Sequence, residues 1–155
     1  CPPKFVGEIR AALDRARVTC EVIAAYTNLA PGPAAEVPHL EFQIAYVESL
    51  ARLAGELGAK IVRIFTAYET DGDDPLVLRR RVVAAIRETC ERAREHGVSI
   101  ATQNHHDLAL DTGALLDLLV KIDRPNCRLA FDAWSPNPPG VCESRSTCRS
   151  SPWPA

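Results

Sequence analysis

Five consecutive polar residues, Gln103-Asn104-His105-His106-Asp107, follow directly on the apolar run "VSIAT". These are the types that carry proton chemistry and bind cations. An imidazole titrates near neutral pH, so either histidine can take or give a proton, and a carboxylate can serve as base or ligand. The pattern nominates His106 and Asp107 as catalytic, with Asn104 and His105 as contacts for a substrate. A second point of this kind is "CRLAFDAW", where Asp132 stands alone at the end of an apolar stretch. A carboxylate there is costly to bury without a partner, which marks Asp132 as a site residue. Trp134 beside it is placed to wall a pocket, and Arg63 on "KIVRIF" is placed to reach a substrate. Tyr68 and Glu69 lie just beyond that segment and are further rim residues.

Such groups meet only if the segments that carry them end at a common edge. Residues 4–17 place Phe5, Ile9, Leu13 and Ala16 at helical spacing, and "VTCEVIAAY" (18–26) reads as a buried strand. Leu40, Ile44, Val47, Ala51, Ala54 and Leu57 predict a helix over 39–57, stopped by Gly58. "KIVRIFT" (60–66) is a second strand. Asp74 and Pro75 then cap and open a helix whose apolar face runs from Leu78 to Ala93 and which ends at Gly97. A third strand at 98–103, a helix capped by Asp111 and a fourth strand at 127–134 complete the series. Strands and helices alternating at this spacing predict right-handed βαβ units and a parallel sheet. Both an open doubly wound sheet and part of a (β/α)8 barrel satisfy the order, and both put ligands at the carboxyl ends of the strands. Alternation within the strands favours the barrel. With Gln103 and Asp132 inward, the inner positions are Ser99, Ala101, Arg128 and Ala130, while Ile100, Thr102, Leu129 and Phe131 face outward.

The fold class read from the sequence is therefore α/β: a partial TIM barrel of about four parallel strands with outer helices. It occupies residues 1–140, and 141–155, rich in Ser, Arg, Cys and Pro without periodicity, is expected to be an irregular tail. Eighteen basic against twenty acidic residues, with no long run of one sign, argue against a nucleic-acid or anionic membrane partner. No apolar stretch is long enough to span a membrane, and no secretory leader pattern is present, so a cytoplasmic location is expected. Cys1 as first residue and the absence of methionine suggest a piece of a longer protein. Cys20, Cys90 and Cys127 lie in apolar segments and read as free, core-type thiols. No glycine-rich phosphate loop follows any strand, which weighs against a nucleotide or dinucleotide site.

"LAGELGAKIVRIF", "AREHGVSIATQNHHD" and "RPNCRLAFDAWSP", taken in this order, resemble the sugar phosphate isomerase/epimerase family, whose fold is a xylose isomerase-like TIM barrel. The resemblance covers residues 20–140. It implies a sugar or sugar phosphate as substrate and a divalent metal, manganese or magnesium, that assists proton transfer between adjacent carbons. The family's first glutamate ligand falls on Gln103 and its aspartate on Asp132, while its later histidine and glutamate ligands have no counterpart in residues 1–155. Glutamine offers an oxygen to a hard cation but no charge and no proton acceptor near neutral pH. The base is therefore expected among His105, His106 and Asp107. Two other readings stand beside this one: a dehydratase or endonuclease IV-like enzyme of the same fold, and a truncated barrel with no catalysis of its own.

Overall fold

A computed structural model describes residues 3–31, 38–68 and 74–133. Trp134, Glu69 and the expected tail 141–155 lie outside these residues. The elements run α1 (Pro3–Ala16), β1 (Val22–Ala24), α2 (His39–Leu57), β2 (Ile61–Ile64), α3 (Pro75–Glu95), β3 (Ser99–Gln103), α4 (Thr112–Ile122) and β4 (Cys127–Ala130). The first strand is shorter than the apolar run 18–26 suggests. Its neighbour pairs with it only from Val22 to Ala24, and Val18 stays exposed.

Local chemistry sets the element ends. Asp74 takes extended backbone angles, and its Oδ1 accepts from the N–H of Leu76 and Val77, with Pro75 at the first helical position. Asp111 caps α4 in the same way, accepting from Ala114 N at 2.9 Å. Gly58 (φ 83°) and Gly97 (φ 68°) turn the chain out of α2 and α3 through the left-handed region, where a side chain would be strained. At the end of α4 that conformation falls on Asp123 (φ 45°).

All strand pairs are parallel, and the sheet order is β1-β2-β3-β4. Val62, Ile64, Ile100 and Thr102 are fully buried on the side facing the helices, where they meet Val47, Ala51, Val82, Ile86 and Ile122. Cys90 belongs to this layer. Its hydrogen bond to Cys127, together with burial, pushes its thiol well above the usual range. The alternation inferred for β3 and β4 holds, since register pairs Ala101 with Arg128 and Gln103 with Ala130 on one face. Leu129 and Phe131 point to the helix side as expected, yet they are exposed, because among the described residues no helix follows β4. The apolar stripe of α1 is likewise uncovered: Val6 is buried, but Phe5 and Ile9 are not.

The α2–α3 contact carries an ionic hub. The Arg92 guanidinium meets Glu88 and Glu41 at 2.8 Å and Glu48 at 3.2 Å, and these carboxylates raise its proton affinity, Glu41 most. The groups are partly solvated, so the expected loss for Arg92→Met is about 1 kcal/mol, fading at high salt. Urea unfolding at low and at molar salt checks this, and equal losses at both would refute an ionic origin.

No helix among the described residues is long and apolar enough to cross a membrane.

Candidate active site

Parallel strands in sequential order bring their carboxyl ends to one rim, and the concave face of the sheet leads to it. Gln103 ends β3 on that face and Asp132 follows β4 on the same face. Gln103 Nε2 donates to Asp132 Oδ2 at 2.9 Å, so the two residues expected to share a mouth do meet there. Asn104 supports the pair from below. Its side chain is buried, its Nδ2 donates to Asp132 O at 2.7 Å, and its Oδ1 accepts from Asp132 N at 2.7 Å. Both ends of a carboxamide thus clamp the backbone N–H and C=O of one residue, fixing the segment that carries the carboxylate. Asn104 acts here on its own chain, with one N–H and one lone pair of its amide engaged.

His105 and Arg63 converge on a third residue, Phe65. The His105 ring centre lies 4.2 Å from that of Phe65, and the Arg63 guanidinium also lies 4.2 Å from it. Arg63 Nη1 donates to Ala25 O at 3.0 Å and the guanidinium flanks Tyr26 at 5.6 Å, so it is held by strand carbonyl and aromatic faces together. Phe65 is itself pinned, since Thr27 Oγ1 donates to its carbonyl and accepts from its N–H. His105 Nδ1 faces Tyr68 Oη at 3.3 Å, which leaves Nε2 as the ring nitrogen open to a ligand. Sequence reasoning placed Tyr68 on the rim but passed over Phe65. Its inward parity, two residues beyond Arg63, is the signal that would have found it.

His106 and Asp107 are arranged differently from the pair above. His106 is exposed; its ring lies edge-on 5.3 Å from that of His105, and it lines a shallow cleft with Tyr68, Arg79 of α3 and Ala114 of α4. Asp107 Oδ2 accepts from Thr66 N and Oδ1 from Ala109 N, each at 2.8 Å, so the carboxylate ties the loop after β3 to the end of β2. Asp107→Ala leaves two N–H groups without acceptors. Because the carboxylate is half-buried and water can replace part of it, the expected cost is about 1–2 kcal/mol. Chemical denaturation measures this, and faster exchange of the Thr66 amide should accompany it.

Gln103 and Asp132 are hard oxygen donors, of the kind that suits magnesium or manganese. As placed, the amide presents its nitrogen to the carboxylate; a turn of the carboxamide would present Oε1 instead. Among the described residues no group of three or more His, Cys, Asp or Glu side chains could hold an ion. The donor chemistry therefore fits a divalent cation, but the described residues supply only part of a coordination shell.

A parallel sheet with helices on its outer side is part of a (β/α)8 barrel, and here carboxylate, carboxamide and imidazole gather at its strand ends. The chain belongs to the xylose isomerase-like TIM barrel family, which matches residues 4–136. Among solved structures it is similar to the probable 3-DHS dehydratase of Bacillus anthracis, with 24% identity, TM-score 0.67, and 84% of this chain and 46% of that one covered. It is similar to the 3-keto-D-glucoside 4-epimerase of E. coli, with 13% identity, TM-score 0.71, and 83% and 54% covered. A third is a xylose isomerase-like TIM barrel protein of Mycobacterium smegmatis in complex with magnesium, with 17% identity, TM-score 0.65, and 86% and 46% covered. At these identities the likeness is one of fold. The chain spans about half the length of these proteins. No curated protein matches it.

Proposed function

We propose that this chain forms part of an isomerase- or epimerase-type site that moves a proton on the carbon beside a carbonyl of a sugar, polyol or sugar phosphate. The observation that carries the reading is the meeting of Gln103 and Asp132 at the mouth, with the His105 imidazole mounted on the same concave side. The family and the epimerase fold neighbour support it. In this reading His105 is the base. With a proton on Nδ1 donated to Tyr68 Oη, Nε2 keeps a lone pair for the substrate C–H. His106, favoured for that role from the sequence alone, lies next to it, its ring 5.3 Å from that of His105 and beside Arg79 and Ala114. Asp107 serves as a positioning residue. Arg63, with donors left beyond Ala25 O, orients substrate oxygens. Gln103 and Asp132 would hold a divalent metal, manganese or magnesium, together with ligands beyond those described. When bound, such an ion supplies polarisation of substrate oxygens.

The test is deuterium uptake from heavy water into a panel of ketoses, keto-glycosides and their phosphates, read by proton NMR with magnesium or manganese present. Uptake lost in both His105→Ala and Asp132→Ala is the expected result. A dehydratase reading, favoured by the Bacillus anthracis fold neighbour, begins with the same proton abstraction and separates by loss of water from the product. No uptake by the chain on any member of the panel would overturn the catalytic reading in favour of a barrel piece without catalysis of its own.

A further inference from the structure

We propose that Cys90 and Cys127 form a modification site, a thiol pair that an oxidant of the peroxide class converts into a disulfide joining α3 to β4. The proposal stands independently of the reaction above.

Placement comes first. Cys90 lies on the buried face of α3 with Val82, Ile86 and Ala93, and it is fully buried. Cys127 opens β4, and its register partner Ile100 faces the helices, so the Cys127 side chain enters the layer between the sheet and α3. Backbone contacts hold the two segments together. Asn126 Nδ2 donates to Cys90 O at 2.8 Å and to Val98 O at 3.3 Å, which anchors the start of β4 to the end of α3. The two thiols hydrogen-bond to each other, and Cys127 Sγ meets Thr102 Oγ1 at 4.0 Å. These partners belong to α3, β3 and β4, so the pairing does not depend on what adjoins the sheet. Both cysteines are free thiols here, as is Cys20, which turns instead to Val22 O.

The surroundings divide the labour between the two sulfurs. The thiolate is the reactive form of cysteine. The hydrogen bond from Cys90, then that from Thr102 and the charge of Arg128, outweigh burial and lower the proton affinity of Cys127. The same thiol contact and its own burial raise that of Cys90. Cys127 is also half-buried where Cys90 is sealed, so oxidation begins at Cys127. Its thiolate attacks one peroxide oxygen and the O–O bond breaks. Sulfur becomes a sulfenic acid, and the other oxygen leaves as hydroxide and takes a proton to give water. Cys90 sulfur then attacks Cys127 sulfur, the S–O bond breaks, and the hydroxide departs with the Cys90 proton as a second water. Two thiols have lost two electrons, and the peroxide has gained them.

The test treats the 155-residue chain with one equivalent of hydrogen peroxide, alkylates the remaining thiols in urea and digests with trypsin without reductant. Cys90 then lies on peptide 88–92 and Cys127 on peptide 122–128. The expected result by mass spectrometry is these two peptides joined, and separated again by dithiothreitol. The chain has six cysteines, so oxidation of the urea-unfolded protein should give this link only as a minor product among several. Cys127→Ser, at the half-buried position, should leave Cys90 a thiol, and Cys90→Ala should halt Cys127 at the sulfenic acid, which dimedone captures. Preferential linkage of either sulfur to another cysteine, a native yield no higher than that in urea, or two thiols left unchanged by peroxide would each overturn the proposal.

Discussion

Turnover falls by about 10²–10⁴-fold in His105→Ala if this imidazole is the base, the range that a positioned proton acceptor contributes. Three features of the structure make it the residue to change. Its ring rests against the pinned Phe65, Tyr68 Oη engages Nδ1, and its strand parity puts it on the side of Gln103 and Asp132. His106→Ala is the comparison: that ring lies edge-on 5.3 Å from the His105 ring and beside Arg79 and Ala114, so its loss should lower turnover less than loss of His105. Tyr68→Phe should fall between the two, because it frees the ring to rotate without removing it. Loss of activity in His106→Ala with His105→Ala spared would reverse the assignment.

The second large effect belongs to Asn104. Its carboxamide closes two 2.7 Å hydrogen bonds with the backbone N–H and C=O of Asp132, and it is buried while doing so. Asn104→Ala leaves an N–H and a C=O of the half-buried Asp132 without their partners, and the expected loss of stability is about 1–3 kcal/mol. It equals or exceeds the loss for Asp107→Ala because the Asn104 side chain is itself buried whereas Asp107 is half-buried. Asn104→Asp distinguishes the two halves of the clamp: it keeps an acceptor for Asp132 N and sets a second oxygen against Asp132 O, so it should be as damaging or worse. Urea unfolding gives the energies. If Asn104→Ala proved as stable as the parent, the clamp would be incidental and Asp132 would be positioned by other contacts.

The elements and their order were legible because each has local causes. Asp74-Pro75, Asp111 and Gly58 announce helix ends through chemistry contained within a few residues, and α2 occupies the span its apolar spacing predicts. Strand parity was legible too, and it correctly paired Gln103 with Asp132 across a gap in sequence. What could not be read was the division of labour inside the cluster 103–107. Asparagine and aspartate have the same donors and acceptors whether they face a ligand or their own backbone, and the choice is made by partners such as Thr66 N and Asp132 N that come close only in the folded chain. What covers α1 could not be read for a related reason. Helical spacing of apolar residues marks a face that seeks cover, but says nothing of what supplies it, and within the described residues Phe5 and Ile9 have none.

The consecutive strand order has a consequence for how the protein is made. Among the described residues β2, β3 and β4 each pair with the strand synthesised just before, from Val22 against Ile61 to Ile100 against Cys127, so none of the three waits for a distant stretch of chain to arrive. Assembly can proceed by accretion as the polypeptide leaves the ribosome, each helix sealing the newest strand onto a platform already built. The growing front is then always a bare margin, and sticky intermediates are confined to that one moving boundary.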